Sequence, residues 1–202
     1  MIDRHIIALI KPLVDKLAMA LVRAGIKADH VTIFAFVLGL IAMLSIALHA
    51  YYWAAILILA SRLCDALDGA VARQSEPTDA GGFLDITLDF LFYASIPLAF
   101  AYADRQANAL PAAVLLAAFI GTGSSFLAFA ALAAKRGLTQ IDQPVKALYF
   151  LGGLTEATET LIFFIAMCIW PEWFPELAYG FALLCCITMA TRVIGGYLTL
   201  TK

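Results

Sequence analysis

Asp65-Ala-Leu-Asp68-Gly69-Ala-Val-Ala72-Arg73, followed seven residues later by Gly81-Gly-Phe-Leu-Asp85-Ile-Thr-Leu-Asp89, is the stretch that decides how the chain is read. It places four aspartates and an arginine inside segments that are otherwise apolar enough to span a membrane. Each aspartate at mid-bilayer costs roughly 2.5–3.5 kcal/mol on an insertion scale, so four cost on the order of 10 kcal/mol. Helical spacing suggests what offsets that cost. Asp65, Asp68, Gly69 and Ala72 follow i, i+3, i+4, i+7 and share one face; Gly81, Asp85 and Asp89 follow i, i+4, i+8 and share a face of the next helix.

The polar link Gln74–Ala80, with Pro77 and Thr78-Asp79 as breakers, joins the two segments as an antiparallel hairpin. At about 1.5 Å of rise per residue, Asp68 stands about 7–8 Å inside the Arg73 end and Asp85 about 6 Å inside the Gly81 end. The two carboxylate pairs therefore lie at similar depth near one membrane surface. Such a group cannot stay ionised without cations, and oxygen-only donors favour hard divalent ions, Mg²⁺ or Mn²⁺, with four carboxylates suiting a two-metal site. The bland reading is that the carboxylates are merely paired with Arg62 and Arg73.

These residues resemble the motif of the CDP-alcohol phosphotransferase (CDP-alcohol phosphatidyltransferase) family: Asp-x2-Asp-Gly-x2-Ala-Arg, a spacer of about eight, then Gly-x3-Asp-x3-Asp. All eight fixed positions are present within residues 65–89, and the spacer is one residue short when Gly81 is taken as the family glycine. Taking Gly82 restores the spacer but shortens the next gap, whereas Gly81 keeps the stripe with Asp85 and Asp89. The resemblance implies a transferase that moves a phosphatidyl or phosphoalcohol group from a CDP-linked donor to an alcohol and releases CMP. It implies Asp65, Asp68, Asp85 and Asp89 as metal ligands, with Asp89 also the general base. Gly69, Ala72, Arg73 and Gly81 would then contact the CDP donor, and a homodimer is implied as well. A base belongs on the acceptor side, one turn deeper than the diphosphate clamp, which is where Asp89 stands relative to Asp85.

The surrounding chain fits an all-α integral membrane protein, read as a single catalytic domain over residues 1–202. Of its 202 residues 63% are hydrophobic, and its net charge of −2 gives no argument for nucleic acid. Residues 2–24 carry Ile2, Ile6, Leu9, Ile10, Leu13, Leu17 and Leu21 at helical spacing among Arg4, Lys11, Lys16 and Arg23, which predicts an amphipathic helix lying in the headgroup layer. Gly25 stops it, and Asp29 or Thr32 is expected to cap the next helix. Ala28-Asp-His-Val-Thr32 is similar to the family's Pro-Asn-x-x-Thr entry to its first span, without the Pro and Asn. Six spans are expected, at about 31–49, 53–72, 82–103, 109–134, 148–170 and 174–200. Cys64, Cys168, Cys185 and Cys186 fall in apolar runs with no metal or redox spacing and read as packing residues, and no signal peptide is recognised.

Lys and Arg set the orientation. The N-terminal helix, Arg73, Lys135, Arg136, Lys146 and Lys202 fall on one side and only Arg105 on the other. Both termini and the Asp65–Asp89 site are therefore expected at the cytoplasmic face, in a bacterial inner membrane. Tyr51, Tyr52 and Trp53 belt the far interface. Arg62, one turn from Asp65, either binds a phosphate or neutralises that aspartate. Gly121-Thr-Gly-Ser-Ser125 either permits close packing or lines a pocket. Glu156 and Glu159 form a buried ion pair with Arg192, or else line the acceptor pocket and disfavour a phosphorylated alcohol. Lys135, Arg136 and Lys146 at its mouth point the other way. The favoured chemistry is attack of an alcohol acceptor on CDP-diacylglycerol; the alternatives are transfer from another CDP-alcohol to a lipid hydroxyl, or a cation transporter or proton relay.

Overall fold

A computed structural model describes the backbone of residues 3–137 and 155–201, with side chains from residue 11 onward. Lys146, Lys202, Ile2 and the first turns of the expected 148–170 span lie outside the described residues. Within them the chain is helical and has no strand: α1 (Asp3–Arg23), α2 (Ala28–Ala47), α3 (Tyr51–Gln74), α4 (Asp79–Ala103), α5 (Arg105–Lys135), α6 (Ala157–Ile169), a 3₁₀ turn at Pro171–Trp173, and α7 (Phe174–Leu200). Four segments are long and apolar enough to cross a membrane: α2, α4, α5 and Pro171–Leu200. The 24 residues of α3 make a helix about 36 Å long, but its apolar run is interrupted by Arg62, Asp65, Asp68 and Arg73.

The breaks between helices follow local chemistry. Gly25 adopts φ +75°, and the Ile26 amide reaches back to the Leu21 carbonyl (3.0 Å), a left-handed stop that a side chain would strain. The cap of α2 differs from expectation. The helix begins at Ala28, so Asp29 and Thr32 already lie in its first turns, and Thr32 donates instead to the Ala28 carbonyl (3.1 Å). Ser75 ends α3, and Thr78 opens α4 by accepting the Gly81 amide (3.0 Å). A four-residue link therefore reverses the chain. At the opposite end Asp104 alone separates α4 from α5 and caps the latter through the Ala107 amide (3.0 Å).

α2 packs on α3 and α4, α5 on α4 and α7, α6 on α3, and α1 on the C-terminal part of α3. The core runs toward the far end through Phe92, Ile96, Phe100, Phe164, Phe174 and Phe181, all buried. Phe100 stacks on Phe174 at 4.5 Å between ring centres. Tyr52, Trp53, Tyr102, Trp170 and Trp173 are exposed around that end, where the three far-side turns meet. Such a girdle is what an interface selects. α1 buries Ala18 against Ala70 and Val71, while Leu13 and Leu17 stay exposed.

Small residues set the closest approaches. A Cβ on Gly39 would lie 2.5 Å from Phe92 Cδ2. Cβ atoms on Gly121 and Gly123 would strike Met189 and Phe90. The 121–125 segment therefore does serve packing, wedging α5 between α4 and α7. Gly180 has open space around it. Gly39→Ala is expected to lower the unfolding temperature in detergent by an amount equivalent to about 1–3 kcal/mol, because Phe92 must leave its rotamer. Gly180→Ala should hold or raise it, alanine being the better helix former by about 1 kcal/mol. Thermal unfolding followed by circular dichroism reads both.

Candidate active site

The four-residue link turns the chain from α3 into α4, and both helices pack on α2, so side chains from the last turns of α3 and the first turns of α4 meet beside it. Asp65, Asp68 and Asp85 each turn one carboxylate oxygen into a common space, all within 4.8 Å of one another. Asp68 is buried, and its Oδ2 has no hydrogen-bond partner among the described residues. A buried carboxylate oxygen left in that state is costly unless a ligand completes it. Mg²⁺ holds oxygens at about 2.0–2.1 Å, so donors on opposite sides of one ion stand about 4.2 Å apart. The cluster is within a small side-chain adjustment of that figure, and its all-oxygen composition fits a hard divalent cation.

Asp89 is not one of those three, but its carboxyl lies beside that of Asp65. Arg62 Nη1 donates to Asp89 Oδ1 at 2.6 Å and lies 3.3 Å from Asp65 Oδ1, tying α3 to α4. Arg62 is itself fixed: its guanidinium sits 3.9 Å from the centre of the Phe92 ring, and Nη2 contacts Ser61 Oγ at 3.3 Å. Ser61 donates to the Ala35 carbonyl of α2 at 2.8 Å. Of the two readings of Arg62, the structure shows the pairing with carboxylates and extends it from Asp65 to Asp89. That second contact spans 27 residues, so sequence spacing gives no sign of it.

Gly81 lies in close quarters, since a Cβ there would come 2.8 Å from Asp29 Oδ1 and 3.1 Å from Thr78 Oγ1, whereas Gly82 has nothing within 4 Å. The more crowded of the two glycines, where Asp29 would have to turn aside for a side chain, is thus the one on the Asp85–Asp89 stripe. Gly69 has the Arg73 guanidinium 3.3 Å from where its Cβ would be, with Ala72 on the same face. In the sequence Asp29 and Thr32 read chiefly as caps; the structure puts Asp29 beside Gly81 and the Thr32 hydroxyl beside Asp68. The faint Ala28–Thr32 resemblance is the signal for both.

Beyond Asp89 a cavity of about 740 Å³ opens between α4, α5, α6 and α7. Its walls are mainly apolar, with Phe90, Phe119, Phe126 and Leu127 among them, and its polar rim includes Asp89, Thr122, Thr155, Glu156, Thr160 and Arg192. Glu156 therefore reaches the cavity. Glu159 does not line it: its Oε2 accepts the Glu156 amide at 3.2 Å, closing the first turn of α6. Lys135 and Arg136 are exposed at the end of α5 and are not among the lining residues.

A sequence model described as CDP-alcohol phosphatidyltransferase matches residues 26–194. The Inner membrane protein YnjF of Escherichia coli (strain K12) is 53% identical over 203 residues, covering 99% of this chain and 97% of that protein. The archaetidylinositol phosphate synthase of Methanothermobacter thermautotrophicus is 40% identical over 83 residues, 41% of this chain and 39% of the relative. Two crystal structures of the Mycobacterium tuberculosis phosphatidylinositol phosphate synthase PgsA1 share the fold. The form with CDP-DAG bound has a TM-score of 0.66 and 20% identity, over 92% of this chain and 94% of that one. The complex with manganese and citrate has a TM-score of 0.70 and 22% identity, over 91% and 88%. With its aspartate hairpin, its helical membrane fold and a match over most of its length, this chain is an integral-membrane member of the CDP-alcohol phosphatidyltransferase family.

Proposed function

We propose that the protein transfers a phosphatidyl group from CDP-diacylglycerol to an alcohol and releases CMP, using divalent cations held by Asp65, Asp68 and Asp85. The observation that carries this is the joining of two compartments by Asp89: the three-carboxylate cluster with its orphaned Asp68 oxygen, and the apolar cavity beside it. The first suits a pyrophosphate with its metal, the second the acyl chains of a lipid donor. Mg²⁺ or Mn²⁺ bound there supplies positive charge to the pyrophosphate oxygens as the bond to CMP breaks. Arg73, at the mouth beside Gly69, adds charge-assisted hydrogen bonds to the same oxygens. The bare backbone at Gly69, with the Arg73 guanidinium as its neighbour, lets the nucleotide lie close to α3.

Asp89 acts on the other substrate. Arg62 holds its Oδ1 and so orients the carboxylate that accepts the proton of the attacking hydroxyl. The alcohol oxygen bonds to the phosphatidyl phosphorus, and the pyrophosphate bridging oxygen departs with CMP. A CDP-alcohol acting on a lipid hydroxyl uses the same groups with the apolar partner exchanged. Cation transport gains no support from the geometry, because Phe92, Ile96, Phe100 and Phe164 are each at most 1% exposed between the cluster and the far end. The whole chain is read as one catalytic domain with α3 and the α6 segment as the two further spans, making six, and with α1 lying in the headgroup layer. Arg73 in the last turn of α3 and Lys135 in the last turn of α5 support a site at the cytoplasmic face of a bacterial inner membrane. The homodimer implied by the resemblance belongs to the same reading and is testable by crosslinking in vesicles.

Purified protein with Mn²⁺ should release CMP from CDP-diacylglycerol in the presence of an alcohol, and chelation should abolish the release. Asp89→Asn should lower kcat about 10²–10⁴-fold, the usual contribution of a general base, while CDP still binds in equilibrium dialysis. Asp68→Asn should instead weaken Mn²⁺-dependent CDP binding. CDP binding that ignores metal, or full activity in Asp89→Asn, contradicts the assignment.

Arg62→Met tests the charge balance. Removing one partner of a buried ion pair costs on the order of 3 kcal/mol, so the metal-free variant should melt well below the wild type. Cations that bind the folded cluster stabilise it by mass action. Mn²⁺ should therefore raise the melting temperature of Arg62→Met by more than it raises that of the wild type.

A further inference from the structure

We infer that the aspartate cluster takes a single divalent ion per chain and that the guanidinium of Arg62 stands where a second would bind; this rests on the transferase reading above and fixes the metal count of its site. Four aspartates on two neighbouring stripes suit two ions by number. The structure divides them differently. Asp65, Asp68 and Asp85 bring one oxygen each within 4.8 Å of one another, a set sized for one ion. Asp89 is not part of that set, and its Oδ1 accepts from Arg62 Nη1 at 2.6 Å. The same nitrogen lies 3.3 Å from Asp65 Oδ1. The pair of carboxylates left for a second ion to bridge is therefore already bridged by a cation that belongs to the chain.

Arg62 is anchored from behind. Its guanidinium carbon stands 3.9 Å from the Phe92 ring centre and 5.6 Å from that of Tyr93, and aromatic faces attract a cation. Nη2 donates to Ser61 Oγ at 3.3 Å, while Ser61 donates in turn to the Ala35 carbonyl of α2 at 2.8 Å. The Arg62 side chain is only 11% exposed, so moving it off Asp65 and Asp89 would leave a buried charge without a counter-ion, a costly state. A divalent ion on those same two carboxylates would face the guanidinium at short range in a weakly screened space, where like charges repel strongly. Arg62 is thus a positioning residue: it keeps Asp89 off the metal and orients it toward the cavity that the alcohol enters.

The test counts Mn²⁺ bound to the purified chain by equilibrium dialysis with CDP present, and records the electron paramagnetic resonance spectrum of the bound metal. The wild type should hold about one Mn²⁺ per chain with the spectrum of an isolated ion, whereas two ions about 3.5–4 Å apart would couple and broaden it. Arg62→Met, which releases Asp65 and Asp89, should bind about twice as much and show that coupling. A merely structural role for Arg62 would lower the melting temperature of the variant and leave its metal count unchanged. Two ions in the wild type, or a count that stays at one in folded Arg62→Met, overturns the inference and leaves the transferase reading standing. A wild type that binds no Mn²⁺ overturns both. Should Arg62→Met not fold, the wild-type count and spectrum decide alone.

Discussion

Carboxylates cannot be left ionised in a low-dielectric setting without nearby positive charge, and this one requirement organises the α2–α3–α4 end of the molecule. Three aspartate oxygens within 4.8 Å of one another would repel strongly if alone. Positive charge arrives in two forms. One is built in: Arg62 bridges Asp65 and Asp89 and rests on the face of Phe92. The other is mobile, the divalent cation that the cluster's geometry and the unpartnered Asp68 oxygen suit. Much of the surrounding packing holds Arg62 in place. Gly39 lets Phe92 slide under the guanidinium, and Ser61 ties the same turn of α3 to α2. A methyl group at position 39, far from any reacting atom, would be felt at the site through that ring.

The hairpin is legible in the sequence because its signals are local. Carboxylates at i, i+3 and i, i+4 spacing define faces, Pro77 and Thr78 define a reversal, and glycines mark close approach. The choice of Gly81 over Gly82 rests on stripe continuity, and the crowding by Asp29 and Thr78 gives it a physical cause. What local spacing cannot reveal is contact between distant segments. Nothing in the vicinity of Asp89 announces Arg62, and only the faint family resemblance of Ala28–Thr32, not its spacing, hints that Asp29 will lie beside Gly81. The α2 start differs from expectation because the helix opens three residues before the first fully apolar run, with Lys27 ahead of it and no side-chain cap to mark the spot. Span limits read from hydropathy start two to four residues inside α2, α3, α4 and α5. Polar first and last turns belong to the helix but not to the apolar core.

α3 shows why apolarity alone undercounts such a protein. Its length suffices for a span, yet the charges that give it chemical interest remove it from the set of helices apolar enough to cross. α1, α2 and α6 pack on it, so Arg62, Asp65 and Asp68, which lower its hydropathy, are turned largely toward protein.

The spacing along α4 explains how one helix serves two compartments. Gly81, Asp85, Asp89 and Tyr93 recur every four residues and form a slowly turning stripe. Gly81 meets the start of α2, Asp85 joins the cluster, and Asp89 and Tyr93 line the cavity. Advancing a single helical turn, about 5.4 Å, thus carries the surface from oxygen donors suited to a cation to a wall suited to hydrocarbon, with Asp89 at the seam. Pro97 comes next on the stripe. It is buried and lacks the amide that would bond to the Tyr93 carbonyl, so the ladder is interrupted where the cavity ends and the far-side core begins. A residue inserted between Asp85 and Asp89 would rotate the second carboxylate by about 100°, away from both Arg62 and the cavity. A residue inserted in the Ser75–Thr78 link would leave every face intact. The gap between the last two aspartates is therefore far less free to change than the length of the link.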